Sequence, residues 1–201
     1  MKYLVCFILF SGISFAQSVA DSTFVRLSDY APNVISDMRY ATADNFLKAQ
    51  VYDCGECYLR KRTAEALAAA AQDFEKRGLR VKVYDCYRPH EVQKKMWALV
   101  PNPIYVADPA KGSIHNRGGA VDMTLTDVNG RELDMGTAFD HFGPEAAHEY
   151  KQLPDEVLKN RKLLRRIMKR HGFKTFDSEW WHYNLKGAEK YPIARFKWPC
   201  D

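Results

Sequence analysis

An α+β fold, with helices packed on a central antiparallel sheet, is what this 201-residue chain predicts. Three observations point there: helical periodicity at the front, alternating strand-like segments and tight turns in the middle, and a further helix before one last strand. The composition is that of a soluble globular chain, 46% hydrophobic and 27% charged with Gly 11 and Pro 9. It suffices for one well-buried core and would be cramped for two.

Taken in order, the first element is not part of the fold. Met1-Lys2 gives a short positive start, Tyr3 to Ile13 is nearly all apolar, and Ser14-Phe15-Ala16 offers small residues where a signal peptidase reads. Residues 1–16 are therefore expected to be a signal peptide, cleaved after Ala16, leaving residues 17–201 as a single domain in the periplasm or secreted. The apolar run is too short for a comfortable membrane span, so no stable membrane insertion is expected after cleavage. Cys6 lies inside the run instead of just after it, where a lipid-modified cysteine would belong.

Thr63 to Arg77 reads as a helix, with Ala64, Leu67, Ala71 and Phe74 at three- and four-residue steps and Gly78 at its stop. Leu79 to Cys86 alternates like a half-buried strand and runs into Tyr87-Arg88-Pro89, where proline starts a second helix reaching Trp97. From Val100 to Gly112 three prolines and a glycine punctuate a long irregular loop. Ala120 to Thr126 alternates again, with Val121, Met123 and Leu125 on one face and Asp122, Thr124 and Thr126 on the other. Asp127-Val128-Asn129-Gly130 is a hairpin turn. A third helix is expected from Pro154 through Arg170, stopped by Gly172, and a last strand over 181–185.

Several function classes are excluded at this level. The formal charge is +5, but both signs are spread along the chain without a basic arm, so nucleic acid is not an expected partner. Only one long apolar stretch exists and mean hydropathy is −0.43, which excludes a multi-span membrane protein. Removing the leader leaves Cys54, Cys57, Cys86 and Cys200, an even set in an exported chain. Oxidation is expected, with three pairings open. The spacing Cys54-Gly-Glu-Cys57 is also that of redox motifs and zinc knuckles, yet no second such pair follows to complete a structural zinc site.

The chemistry concentrates in two places. In Ser113-Ile114-His115-Asn116-Arg117-Gly118-Gly119-Ala120-Val121-Asp122 a histidine precedes an aspartate by seven positions, and the glycines between let the chain fold back so that both reach one cation. A third donor is offered by Glu179-Trp180-Trp181-His182. Either histidine alone reads more readily as a packed, hydrogen-bonded residue than as a ligand, and Asp122 as a turn residue. Two nitrogen donors and one oxygen donor with a fourth position open are, together, the pattern of a catalytic zinc. Glu179 stands three residues before His182, so strand alternation predicts that the two point to opposite faces. That places Glu179 at the strand entrance, beside the open position and outside the ligand set.

With those residues in view, the sequence resembles the D-alanyl-D-alanine dipeptidases (VanX-like), within the zinc peptidases that also include D-alanyl-D-alanine carboxypeptidases and the hedgehog fold. The segments that carry the resemblance are Met38 to Phe46, Asp85-Cys86-Tyr87-Arg88-Pro89, Ser113 to Asp122, Met135 to Asp140, and Glu179-Trp180-Trp181-His182-Tyr183, in family order from about residue 25 to the C-terminus. The resemblance implies one zinc per chain on His115, Asp122 and His182, with Glu179 as general base and acid and Arg88 stabilising the oxyanion. It further implies that Tyr40, Ser113 and Asp140 line the site of a small dipeptide, Asp140 near the free amino group. Two other functions fit the same residues less closely: a zinc D,D-carboxypeptidase or endopeptidase acting on peptidoglycan, and a catalytically inactive binding module of the same fold.

Overall fold

In the computed structural model, which describes residues 23–200, the strands in chain order are β1 (Phe24–Arg26), β2 (Ile35–Ser36), β3 (Tyr58–Arg60), β4 (Leu79–Asp85), β5 (Ala120–Asp127), β6 (Phe173–Phe176) and β7 (Glu179–Leu185). The helices are α1 (Lys61–Glu75), α2 (His90–Leu99) and α3 (Asp155–Arg170). The expected signal peptide lies outside the described residues. Five strands form one sheet in the order β2-β4-β5-β7-β6, while β1 and β3 make a small antiparallel pair of their own. The large sheet is antiparallel apart from its two-residue edge strand β2, which runs parallel to β4. The expected α+β architecture is present. Strands β1, β2, β3 and β6 have no periodic signal because two to four residues are too few to show one.

Each predicted helix forms for the reason its sequence suggests. α1 buries Ala64, Leu67, Ala71 and Phe74 along one stripe and ends before Gly78, whose φ of +70° suits a residue without a side chain. Pro89 and Pro154 immediately precede α2 and α3, where the missing amide proton costs nothing. α3 carries Asp155 and Glu156 in its first turn and Lys169 and Arg170 in its last, matching its macrodipole. α1 packs on β4, α3 on β6, and the two helices touch each other. No helix among the described residues is long and apolar enough to cross a membrane.

On β5 the polar face is as buried as the apolar one. Asp122, Thr124 and Thr126 are 3%, 1% and 0% exposed. Loops cover that face: Thr124 meets the 132–139 segment, and Asp122 looks into a cavity. A buried aspartate needs partners, and the sheet register supplies them.

The cysteines form two disulfides, Cys54–Cys200 and Cys57–Cys86, so the two cysteines of the Cys-Gly-Glu-Cys stretch are not joined to each other. One bridge ties the C-terminal tail to the 54–57 loop, and Trp198 packed on Tyr52, Tyr58 and Tyr87 holds the same tail. The other fastens that loop to the residue following β4. Closing the longer loop constrains the unfolded chain by roughly 2–4 kcal/mol. The double variant Cys54→Ser/Cys200→Ser is therefore expected to melt several degrees lower with its activity intact; an unchanged melting temperature would mean that the aromatic packing alone holds the tail.

Candidate active site

Strand register builds the site. Asp85 on β4 stands opposite Asp122 on β5, and Asp122 stands opposite His182 on β7, which sets three polar residues in one row across adjacent strands. His115 enters from the short helical turn His115–Arg117 just before β5. That turn closes on Gly118 in the left-handed region at φ +71°, where an added Cβ would also strike Phe24 at 2.5 Å. The reversal brings His115 over its own downstream strand, as the paired glycines suggested.

His115 Nε2, Asp122 Oδ1 and His182 Nδ1 converge to 3.2, 3.1 and 2.9 Å of one another. Ligands about 2.0–2.1 Å from a tetrahedral centre stand roughly 3.3–3.4 Å apart, so this triangle is close to a metal-ligating face. The remote ring nitrogens decide the tautomers. His115 Nδ1 lies 2.7 Å from the Cys86 carbonyl and His182 Nε2 lies 2.8 Å from Asn184 Oδ1, both acceptors, so each remote nitrogen carries the proton. Two nitrogen lone pairs and a carboxylate oxygen thus face one point, an arrangement that repels itself without positive charge at its centre. The same demand is visible in the protonation: burial disfavours charge on His115, but Asp122 and Asp85 outweigh it and raise its pKa. Burial pushes Asp122 upward, yet the two histidines hold it well below the usual carboxylate range. The trio can hold a divalent cation.

Glu179 corrects one sequence expectation. Alternation predicted that it and His182 face opposite sides, but Phe176 pairs with Glu179 while Thr175 pairs with Tyr183, leaving three residues of β7 in a bulge. The bulge resets the parity. Glu179 Oε2 consequently lies 3.8 Å from His182 Nδ1, on the same side, at the first position of β7 and lining the same cavity. Burial first, then Asp122 and Asp140, push its pKa up to about 8 against the opposing His182 and Arg88.

Arg88 is held as a rigid fork. Its Nε and one terminal nitrogen donate to Asp85 Oδ2 at 2.9 and 2.7 Å, and the other terminal nitrogen donates to Gln93 Oε1 at 2.9 Å. Burial disfavours its charge, but Asp85 more than compensates and the pKa is raised. Asp85 is itself pinned by the Tyr52 hydroxyl at 2.6 Å and the Cys86 amide at 2.9 Å. Of the five guanidinium N–H groups, those not spent on Asp85 and Gln93 remain for the cavity that Arg88 lines.

At the far end Tyr40 donates its hydroxyl to Asp140 at 2.9 Å. Asp140 sits at φ +59°, strained for a residue with a side chain, and burial followed by the Asp122 charge lifts its pKa to about 8. A carboxylate whose folded pKa exceeds its unfolded value of about 3.9 stabilises the fold only while protonated, so that contribution is lost as pH rises from about 4 through 8. Asp140→Asn is expected to make the metal-free protein more stable than wild type in denaturant melts at pH 9 and not at pH 4. Equal gains at both pH values would contradict the shift. Ser113 Oγ accepts the His115 amide at 3.2 Å and keeps its own proton to donate.

All eight residues singled out in the sequence line one cavity of about 170 Å³. The loop after α2 closes over it: Pro103 to Ala107 line the cavity, Tyr105 stacks on Phe142 at 4.8 Å, and the Ile104 carbonyl accepts the Ser178 hydroxyl at 3.4 Å.

A profile of the family described as D-ala-D-ala dipeptidase matches residues 20–199. The chain belongs to that family of metallopeptidases. Among the relatives of the D-ala-D-ala dipeptidase family, the D-alanyl-D-alanine dipeptidase of Escherichia coli (strain K12) is 37% identical over 183 residues, 90% of this chain and 95% of that one. The D-alanyl-D-alanine dipeptidase of Enterococcus faecium is 30% identical, over 88% of this chain and 97% of its own. A solved structure of the LdcB LD-carboxypeptidase overlaps 66% of this chain and 62% of its own length, with 23% identity and a TM-score of 0.41.

Four further residues of this dipeptidase-family site orient its functional groups, and of these only Asp85 and Cys86 lie in a segment that carries the family resemblance. Asp85 and Gln93 orient Arg88, while Asn184 and the Cys86 carbonyl orient the two histidines. Asn184 was open to discovery, since it follows His182 by two on the same strand face. Gln93 was not: it donates to the Ala107 carbonyl at 2.7 Å while accepting from Arg88, a contact between a helix and a loop that no local pattern encodes.

Proposed function

We propose that this protein is a zinc-dependent D-alanyl-D-alanine dipeptidase, exported to the periplasm or secreted. The observation that carries the reading is the convergence of two histidine nitrogens and a carboxylate oxygen beside Glu179, Arg88 and Asp140 in one small, loop-covered cavity. A nitrogen- and oxygen-donor trio with an open side suits zinc, and His115, Asp122 and His182 would hold it. Zinc bound there supplies Lewis acidity and lowers the pKa of water to about 7.

The chain's own residues do the rest. Glu179, whose raised pKa makes its carboxylate a stronger base than usual, accepts a proton from the attacking water and delivers it to the departing amine. Arg88 turns its free N–H groups toward the oxygen on which negative charge develops, and costs no reorganisation because Asp85 and Gln93 fix it beforehand. Asp140, with Tyr40, receives a free ammonium group. A substrate extended at its amino end offers an amide there instead and forfeits the ion pair that an ammonium would form with the Asp140 carboxylate, which discriminates against polymer. Ser113 donates to a substrate acceptor. The leader pattern and two disulfides support export, since such bridges persist in oxidising compartments.

A dipeptide panel tests this reading. Zinc-loaded mature protein is expected to cleave free D-Ala-D-Ala, to cleave L,D and L,L analogues poorly, and to leave N-acetyl-D-Ala-D-Ala untouched. Preferential cleavage of the blocked peptide would reassign the protein as a carboxypeptidase or endopeptidase, and stoichiometric zinc without hydrolysis of any dipeptide would make it a binding module.

A further inference from the structure

The charge that looks dispersed in the sequence is gathered on α3, which carries seven basic residues against Asp155 and Glu156. Where α3 meets the 148–151 segment lies a second cavity of about 250 Å³, lined by His148, Lys151, Leu158, Arg161, Lys162 and Arg165. None of these residues lines the catalytic cavity.

Four cations thus border one space, and among the described residues a single acid forms ion pairs with them. Glu149 pairs with Lys151 at 3.0 Å and with Arg165 at 2.9 Å. Arg161 is only 4% exposed, yet it donates to the carbonyls of Met135, Glu145 and Ala147 and has no carboxylate within ion-pair distance among the described residues. A buried guanidinium that feels a carboxylate, Asp134, only from beyond ion-pair distance is unusual. His148, 7% exposed in the same wall, leaves its Nε2 with no hydrogen-bond partner among the described residues. Burial and then Arg165, Arg161 and Lys169 hold its pKa down at about 4, so the ring is neutral near pH 7 while an anion in the cavity would favour its protonated, donating form.

We propose that this cavity binds a phosphate group, free or as the monoester of a small alcohol. Glu149 satisfies Lys151 and Arg165 but not Arg161, Lys162 or His148. A tetrahedral dianion accepts from several directions at once and matches the surplus charge better than a second carboxylate does. The site is independent of the catalytic reading, although its walls reach toward the cleft. Arg161 holds both ends of the 135–147 segment that presents Asp140, and the His148 amide donates to the Asp177 carbonyl at 3.0 Å, two residues before Glu179.

The test is a titration of the full mature protein with inorganic phosphate and, separately, glycerol phosphate, against sodium chloride at matched ionic strength. The imidazole resonances of His148 and the melting temperature are followed. Expected are a saturable shift of His148, a rise in melting temperature, and affinity about tenfold weaker in Lys162→Ala but unchanged in the remote surface variant Lys190→Ala. Lys162 and Lys190 are both exposed, so neither change threatens folding. Tighter binding of glycerol phosphate assigns the site to an ester, and binding of inorganic phosphate alone assigns it to the free ion. A response no larger than that to chloride, or equal loss in the two lysine variants, overturns the proposal.

Discussion

His182→Ala is expected to lose the proposed zinc and, with it, all turnover above background. The triangle of His115 Nε2, Asp122 Oδ1 and His182 Nδ1 supplies three donors, and removing one leaves a two-ligand site that water must complete. The same result is expected for His115→Ala and Asp122→Ala, with the fold retained because the sheet register does not depend on these side chains. Asn184→Ala provides the graded comparison: it removes only the acceptor that fixes the His182 tautomer, and metal affinity should fall about 10- to 100-fold. Metal analysis of the purified variants checks both. Full zinc occupancy in His182→Ala would remove it from the ligand set.

The second large effect separates chemistry from metal retention. Glu179→Gln keeps the shape and the neutral charge of a protonated carboxyl group but cannot move a proton, so turnover should drop about 10²- to 10⁴-fold with zinc unchanged. Arg88→Lys should also fail, by about 10²- to 10³-fold, because an ammonium group cannot bond Asp85 and Gln93 while still presenting donors to the cavity. Near-normal turnover at full zinc loading in either variant would sink the assigned roles.

Much of this site is legible in the order of the amino acids. The glycine pair after His115, the alternation around Asp122 and the carboxylate three residues before His182 are local features, and each lies in the element its pattern predicts. The long helices and strands are equally readable, because periodicity accumulates over ten or more residues. Short strands such as β2 and β6 are not, since long-range pairing alone defines them. The Glu179 orientation shows the limit most clearly. Two-residue parity is a sound rule for a regular strand, and it fails here because the β6–β7 register shifts between Thr175 and Phe176 and leaves a bulge in β7.

By itself, then, the sequence determined the residue types that can bind a metal, move a proton and stabilise an oxyanion, together with the helices and long strands that carry them. Tertiary structure alone decided which cysteines pair, which nitrogen of each histidine faces the metal position, and that Asp85 and Gln93 lock Arg88. It also decided that α3 and the 148–151 segment enclose a cationic cavity. The division has one physical cause: propensity and periodicity act over a few neighbouring residues, whereas register, buried hydrogen bonds and local potential arise from groups that meet only when distant segments pack.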